Sequence, residues 1–153
     1  MNIRCATIND YEKVSEFSKQ VVLHHSANRP DIIKSAPDLS KKEFKKTIKD
    51  KNWITLIAEN DGQAVGYCKA LIRNIGDEVW TPMKLIFIFE MYVAPSCRRK
   101  GVANALLDEI KKIANEIGAT QIELDVWAFN DSAIQLYEQS GFVPQRIKME
   151  LKL

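Results

Sequence analysis

The chain opens with a strand-like segment, followed by two segments whose apolar residues recur at helical spacing. Residues 2–8 form the strand-like segment. Asn9 or Asp10 can cap the first helix, which must end before Pro30 and whose apolar stripe comprises Val14, Phe17, Val21 and Val22. Ser40 caps the second helix and Glu43 completes a capping box. Because its apolar edge is narrow, we expect this second helix at the surface.

The middle of the chain shows the patterns that strands have. Residues 53–60 and 63–73 flank an Asp-Gly pair, which predicts a β-hairpin with a two-residue turn. A loop follows at 74–83. Residues 84–93 are apolar almost throughout, so we expect a buried, central strand that ends at Pro95.

The last third of the chain resumes the alternation of helix and strand. An apolar repeat predicts a helix over 101–117 that ends at Gly118. The residues of this repeat are Val102, Leu106, Ile110, Ile113 and Ile117. A strand follows at about 120–127, and Asn130 then caps a helix that Gly141 terminates. Residues 142–153 predict a final strand, or two strands interrupted at Pro144. The order β-α-α-β-β-β-α-β-α-β predicts a mixed α/β fold with one domain over 1–153.

The composition excludes several classes of protein. A net charge of +2 without clustered arginines and interleaved aromatic residues argues against nucleic-acid binding. No apolar run approaches the ~18 residues of a membrane helix, and the N-terminus has no apolar signal segment. The three cysteines have no metal-ligand spacing. We therefore expect a cytoplasmic protein with reduced thiols, without a metal and without a membrane partner.

Positive charge is concentrated where a helix dipole is already positive. Arg98, Arg99 and Lys100 precede Gly101 and the helix that starts there. This arrangement is repulsive unless an anion binds, and a helix N-terminus offers unpaired N–H groups to phosphate. Gly101 would let the phosphate approach the backbone closely. The alternative is a solvated loop, which composition alone favours equally. Neither the Walker nor the dinucleotide fingerprint fits the spacing.

Two segments resemble the GNAT family of N-acetyltransferases. "VAPSCRRKGVA" (93–103) is similar to its acyl-CoA-binding motif, Arg/Gln-x-x-Gly-x-Gly/Ala, through Arg98, Gly101 and Ala103. "NDSAIQLYEQSGF" (130–142) is similar to its Asn-x-x-Ala…Tyr-Glu…Gly-Phe segment. The resemblance implies a mixed, mostly antiparallel twisted sheet with about four helices. It also implies that the central strand (83–94) splays from the next strand (120–127).

The resemblance implies acetyl-CoA as cosubstrate and places it residue by residue. Its pyrophosphate would bind the loop and helix start formed by Arg98, Arg99, Lys100, Gly101, Val102 and Ala103. Its pantetheine arm would lie along the strand end at Met91, Tyr92 and Val93, and the Val93 N–H would hold the thioester oxygen as an oxyanion. Asn130 contacts the arm in this family, although it is equally an ordinary N-cap.

Three residues are candidates for proton transfer. In the family a tyrosine at the spacing of Tyr137 protonates the departing thiolate, and the alternative is a packed aromatic residue. A lysine-like amine is neutral only about once in 2,500 molecules at pH 7, so a base is expected. Glu90 lies in an otherwise apolar strand, and Asp125 lies in a stretch that resembles ribosomal-protein N-terminal acetyltransferases. Either carboxylate can instead be a salt-bridged or rim residue.

The acceptor stays open at this point. It is a primary amine, either a small amine or amino sugar, or a peptide N-terminus or lysine. Trp127 shares a strand face with Glu123 and Asp125 by alternation and can line the acceptor pocket or the core. His24 and His25 are helix-end residues, or they rim the acceptor site together with the loop that follows. A non-catalytic acyl-CoA sensor is the alternative function, and the sequence also leaves a homodimer open.

Overall fold

The computed structural model describes residues 1–153 and contains one mixed sheet with helices on both faces. The strands are β1 (Asn2–Cys5), β2 (Trp53–Asn60), β3 (Gln63–Ile75), β4 (Met83–Val93) and β5 (Gln121–Leu124). The helices are α1 (Tyr11–Asn28), α2 (Lys41–Lys49), α3 (Val102–Glu116) and α4 (Asp131–Gln139). The strands lie in chain order, antiparallel except for the parallel pair β4–β5. The α/β fold is confirmed. No helix combines the length and the apolar character needed to cross a bilayer.

The alternation of side chains along the strands builds two cores, one on each face of the sheet. On one face, β2, β3 and β4 pack residues such as Leu56, Cys68 and Ile86 against Leu106 and Ile110 of α3. On the other face, Ile57 and Tyr67 pack against the two N-terminal helices through Phe17 and Phe44. The two faces are therefore two separate environments, which matters for the site.

Turn and capping residues determine where several of the helices and strands begin or end. The Asp-Gly turn has positive φ at both residues, Asp61 (50°) and Gly62 (76°), as a tight hairpin turn requires. The Asn130 side chain accepts a hydrogen bond from the Ala133 N–H at 3.3 Å and caps α4. Ser40 likewise accepts from the Glu43 N–H at 3.4 Å, but the reciprocal bond of a capping box is not formed.

The sheet opens between β4 and β5. The two strands pair only along Leu85–Ile88, while β4 continues to Val93 without a neighbour on that side. A bulge at Phe89 starts the divergence, because Ala70 pairs with Ile88 and Lys69 with Glu90. The expected splay is thus present. The predicted strand at 120–127 is too long, because backbone beyond Leu124 has no partner once β4 has turned away.

The predicted final strand is not formed. Residues 143–153 contain no strand and make no backbone–backbone hydrogen bond. β5 is consequently an edge strand, and β4 is one strand in from that edge. The alternating pattern of this segment lacks the neighbouring backbone that a strand needs.

Candidate active site

The start of α3 is a row of backbone donors without acceptors. A turn at Pro95–Cys97 leads into the loop, in which Arg99 (φ 58°) and Gly101 (φ 80°) both have left-handed backbone. No N–H from Arg99 to Asn104 donates a hydrogen bond, and the first helical bond runs from Ala105 to the Gly101 carbonyl at 3.0 Å. A Cβ at Gly101 would meet nothing within 4 Å. This open cradle of N–H groups suits an anion.

The charges around this cradle are not neutralised within the chain. Arg98, Arg99 and Lys100 are exposed and form no ion pair. The Arg98 guanidinium instead donates from Nε to the Val93 carbonyl at 3.1 Å. Three cations beside a helix N-terminus without a counter-charge are consistent with the predicted phosphate site, to which Val102 and Ala103 contribute N–H groups.

The open edge of β4 exposes backbone of alternate residues. The Ala94 N–H donates to the Val65 carbonyl at 2.9 Å and thus faces β3. By alternation, the backbone of Met91 and Val93 points away from β3, into the opening. Tyr92 does not, and its ring packs against Phe17 of α1 at 5.0 Å between centroids. By the same alternation the backbone of Tyr92 faces β3, so its place in the cosubstrate site stays a prediction without a backbone contact to support it.

Tyr137 lies on the α3 face of the sheet, beside the opening. Its ring packs against the core and meets Phe142 edge-on at 5.6 Å. Burial raises the pKa of its hydroxyl, and the neighbouring Cys68 thiol raises it further. Cys68 is the register partner of Met91 on β4, so the phenol is close to the unpaired stretch. The hydroxyl forms no hydrogen bond in the chain and is free to donate one.

Glu90 lies on the opposite face of the sheet. It accepts a hydrogen bond from the Tyr67 hydroxyl and lines a narrow cleft between the N-terminal helices and the sheet. Burial and the charge of Glu90 raise the pKa of Tyr67, which stays a donor. Lys69 is the register partner of Glu90, yet the two form no salt bridge. Glu90 is thus a carboxylate held by a phenol, not half of an ion pair.

The second carboxylate candidate is less constrained. Asp125 follows the end of β5, is exposed, and makes no hydrogen bond or ion pair. The strand face that was expected to group it with Glu123 and Trp127 ends at Leu124. Asp125 therefore stays a prediction supported only by its position near the opening.

An aromatic cluster, which the sequence pattern did not predict as a unit, borders the Glu90 side of the opening. Trp127 and Phe129 stack at 5.9 Å, and His25 lies 6.2 Å from Trp127 and 6.3 Å from Phe129. Burial lowers the pKa of His25, as does the neighbouring His24, while Glu90 acts in the opposite direction. His25 is therefore within electrostatic reach of Glu90. The Arg29 guanidinium covers Trp127 at 5.3 Å.

This arrangement of sheet and site is that of an acyltransferase. The sequence profile of the acetyltransferase (GNAT) family matches residues 22–142, so the chain belongs to that family and is an enzyme of the acetyltransferase class. The resemblance seen in the sequence is thereby confirmed.

Curated relatives agree. The chain is 29% identical over 145 residues to an uncharacterized N-acetyltransferase, YhfO, of Bacillus subtilis, covering 93% of this chain and 89% of that protein. It is 30% identical over 82 residues to the aminoglycoside N(6')-acetyltransferase type 1 of Klebsiella aerogenes, covering 54% of this chain and 53% of that protein.

Solved structures have the same fold. A variant of the BH1408 protein from Bacillus halodurans superposes with a TM-score of 0.95 at 28% identity, over 100% of this chain and 99% of that chain. The aminoglycoside N-acetyltransferase AAC(6')-Iy, solved in complex with CoA, superposes with a TM-score of 0.79 at 22% identity, over 99% and 93% of the chains. At that identity the second likeness concerns the fold alone.

Proposed function

We propose that the protein transfers an acetyl group from acetyl-CoA to a primary amine by direct attack of the amine on the thioester. One observation carries this proposal. Glu90 and Tyr137 lie on opposite faces of the sheet at the place where β4 and β5 separate. A thioester in that gap would have a base on the side of the entering amine and an acid on the side of the leaving thiolate.

The loop and helix start at 98–103 are proposed to bind the cosubstrate's phosphates. The support is the unpaired N–H row from Arg99 to Asn104 together with three uncompensated cations. Charge-assisted hydrogen bonds to phosphate are the strong ones, which suits a site that must hold a flexible ligand by one end. The arm would then follow the exposed backbone of Met91 and Val93 into the opening, with Asn130 near the arm at the start of α4.

Glu90 is the proposed base. An alkylamine with a pKa near ~10.4 must lose a proton before it attacks, which at pH 7 is worth roughly 4–5 kcal/mol. The Tyr67 hydrogen bond orients the Glu90 carboxylate. Glu90 also acts electrostatically on His25, which lies in the aromatic cluster beside it. Asp125 is exposed at the rim, where it would attract a cationic amine by charge.

The oxyanion and the leaving group are served from the other side of the site. The Val93 N–H points into the opening and is the proposed donor to the developing oxyanion. The Val93 carbonyl already accepts a hydrogen bond from the Arg98 guanidinium, and this bond holds the backbone at Val93 beside the proposed phosphate site. The Tyr137 hydroxyl, free of other partners, would donate to the thiolate.

The proposed acceptor is a small primary amine with a flat or apolar part. The support is the cluster of His24, His25, Trp127 and Phe129, whose ring faces can pack against such a body. An ammonium group over these faces would gain cation–π attraction before it reaches Glu90. An amino sugar is the small-molecule alternative, because one relative is named for acting on aminoglycosides. A peptide N-terminus or lysine stays the macromolecular alternative.

Steady-state kinetics with both substrates varied test the direct attack. Intersecting double-reciprocal lines are expected, because amine and acetyl-CoA must both be bound before reaction. Parallel lines with an acetylated enzyme in the mass spectrum would overturn direct attack. Cys97→Ala is the matched control, because Cys97 is the thiol nearest the phosphate loop in sequence and would carry the acetyl group in a two-step route.

A further inference from the structure

A patch of aromatic and cationic side chains lies on the face of the sheet that carries Glu90. We call it the cation–aromatic patch, and its members are Trp53 of β2, Lys69 and Arg73 of β3, and Phe87 and Phe89 of β4. The ring centroids of Trp53 and Phe89 are 5.2 Å apart, and those of Phe87 and Phe89 are 4.9 Å apart. Phe89 is 43% exposed and the other members are half-buried, so the patch is open to solvent.

The order of residues along β3 places the patch next to Glu90. Tyr67, which donates to Glu90, lies on the face opposite Cys68, and the same alternation puts Lys69 and Arg73 on the Tyr67 face. Lys69 is also the register partner of Glu90 and lines the same narrow cleft. Arg73 is roughly 13 Å further along the strand, at ~3.3 Å per residue. The two cations therefore lie at a short and at a longer distance from the proposed base.

Neither cation of the patch has a counter-charge or a hydrogen-bond acceptor within the chain. The Arg73 guanidinium lies 4.1 Å from the ring centroid of Phe87 and 5.1 Å from that of Phe89. The Lys69 ammonium lies 4.9 Å from the ring centroid of Trp53. Neither group is part of a salt bridge, and neither donates a hydrogen bond. The rings attract both cations but leave their N–H donors free for a ligand.

Lys69 and Glu90 line one cleft with opposite charges that do not pair. The ammonium of Lys69 lies over Trp53, and the carboxylate of Glu90 accepts from Tyr67 instead. Each charge therefore stays available to a ligand, with no internal ion pair to be broken first. A ligand that carries one positive and one negative group would complement both charges.

We propose that the acceptor amine carries a carboxylate, and that Lys69 and Arg73 bind this carboxylate while the amino group lies at Glu90. The inference rests on the proposed function and specifies its substrate class as amino acids and related amino-carboxylates with an aromatic or apolar body. The planar guanidinium fits a carboxylate through two parallel hydrogen bonds. The exposed ring of Phe89 would pack against the body between the two charged groups. A carboxylate close to the amine would meet Lys69, and a more distant one would meet Arg73.

Calorimetric titration of the enzyme in the presence of CoA tests the proposal without requiring turnover. Two pairs of compounds are compared, phenylalanine with phenylalaninamide and para-aminomethylbenzoate with para-aminomethylbenzamide, because each amide replaces the carboxylate by an uncharged group of similar size. The carboxylate compound is expected to bind at least about tenfold more tightly than its amide, or ~1.4 kcal/mol. Lys69→Gln should reduce this preference in the first pair, and Arg73→Gln in the second, to less than about threefold.

Lys111→Gln is the matched control for the loss of one positive charge. Lys111 lies on α3, on the other side of the sheet, and pairs only with Asp108 at 3.7 Å. Its replacement should leave both preferences unchanged. Arg73→Lys keeps the charge without the guanidinium and should retain part of the preference in the second pair. Circular dichroism verifies that each variant is folded.

Carboxylate binding and acetyl transfer are judged separately. Thiol release from acetyl-CoA with both members of a pair, at equal dissociation constants, keeps the proposed function and overturns the carboxylate site. A carboxylate preference in binding without thiol release supports the site and contradicts acetyl transfer to these amines. The proposal is overturned if neither pair shows a preference, or if Lys111→Gln weakens the preference as much as Lys69→Gln and Arg73→Gln do.

Discussion

Replacing Tyr137 with phenylalanine removes one hydroxyl from a site whose packing is otherwise left intact. The ring lies against the core and meets Phe142 at 5.6 Å, and these contacts do not involve the oxygen. Because the hydroxyl has no hydrogen-bond partner in the chain, its removal leaves no donor or acceptor unsatisfied. We therefore expect the free energy of unfolding to change by less than about 0.5 kcal/mol.

The expected loss of activity follows from the position of this phenol. An ordinary phenol titrates near ~10 and an ordinary thiol near ~8.5, so complete proton transfer to the thiolate is uphill. Burial and Cys68 raise the pKa of Tyr137 and make transfer still less favourable. What the hydroxyl can supply is a charge-assisted hydrogen bond to the leaving sulfur, worth about 1.5–3 kcal/mol. Tyr137→Phe should therefore lower kcat by about 10- to 150-fold.

The assay is thiol release at saturating acetyl-CoA and amine, followed across pH. Because the pKa of Tyr137 is raised, the phenol stays protonated and the loss should be nearly constant from about pH 6 to 9. The KM for acetyl-CoA should change by less than about tenfold. Tyr11→Phe is the control, since its hydroxyl donates to the Leu39 carbonyl at 2.8 Å away from the site, and its loss should cost stability without lowering kcat. A Tyr137→Phe enzyme with wild-type kcat at every pH would refute the role of the hydroxyl.

Three further changes test the phosphate site, the base and the Arg4–Asp10 ion pair. Gly101→Val should weaken CoA binding at least about tenfold by calorimetry. Gly118→Val is the control, because Gly118 has the same left-handed backbone and the same empty space around it, and this variant should only lose ~1–3 kcal/mol of stability. Equal CoA affinities in the two variants would contradict phosphate binding at the start of α3. Glu90→Gln should lower kcat/KM by about 10²- to 10⁴-fold and remove the acidic limb of its pH profile, and Asp125→Asn should do far less; the reverse order would make Asp125 the base. Arg4 lowers the pKa of Asp10 to about 2, so the ion pair stabilises the fold above the unfolded-state pKa of ~3.9, and this stabilisation is lost as pH falls toward 2. Asp10→Asn should therefore cost about 1–2 kcal/mol in denaturant unfolding at pH 7 and little at pH 2. A cost that does not depend on pH would rule out the ion pair as its cause.

The elements that the sequence predicted well are those fixed by local chemistry. The Asp-Gly hairpin, the Asn130 cap and the apolar stripe of α3 depend on residues within a few positions of one another. The two largest errors, the length of β5 and the final strand, concern pairing with backbone far away in the chain. A period-two pattern such as that of 143–153 shows that a segment can be a strand, but only a neighbouring strand makes it one.

The face of the sheet on which Glu90 lies also could not be predicted from the sequence pattern. Strict alternation would place Glu90 on the same face as Ile86 and Ile88, inside the α3 core. The bulge at Phe89 moves Glu90 to the other face, where Tyr67 binds it, and leaves Tyr137 on the face that Glu90 has left. The sequence could name both residues, Tyr137 through the family resemblance and Glu90 as a carboxylate in an otherwise apolar strand. That they oppose one another across the sheet follows from one inserted residue that no periodicity reveals.

The aromatic cluster could not be predicted for another reason, the distance between its members along the chain. His24 and His25 lie near the end of α1, whereas Trp127 and Phe129 follow β5, and more than half of the chain separates the pairs. Each pair has an ordinary explanation alone. Only the packing of α1 across the opening brings them together beside Glu90.

Acetyl transfer to a primary amine is tested most directly with a panel of primary amines incubated with acetyl-CoA and the enzyme. Thiol release is measured together with the acetylated amine by mass spectrometry. We expect at least one small amine, with an aromatic or apolar body favoured, to give thiol and amide in equal amounts. We also expect Glu90→Gln to lower the yield of both together. Acetyl-CoA that binds but releases no thiol with any amine or short peptide, or thiol release that does not depend on amine, would contradict acetyl transfer to an amine.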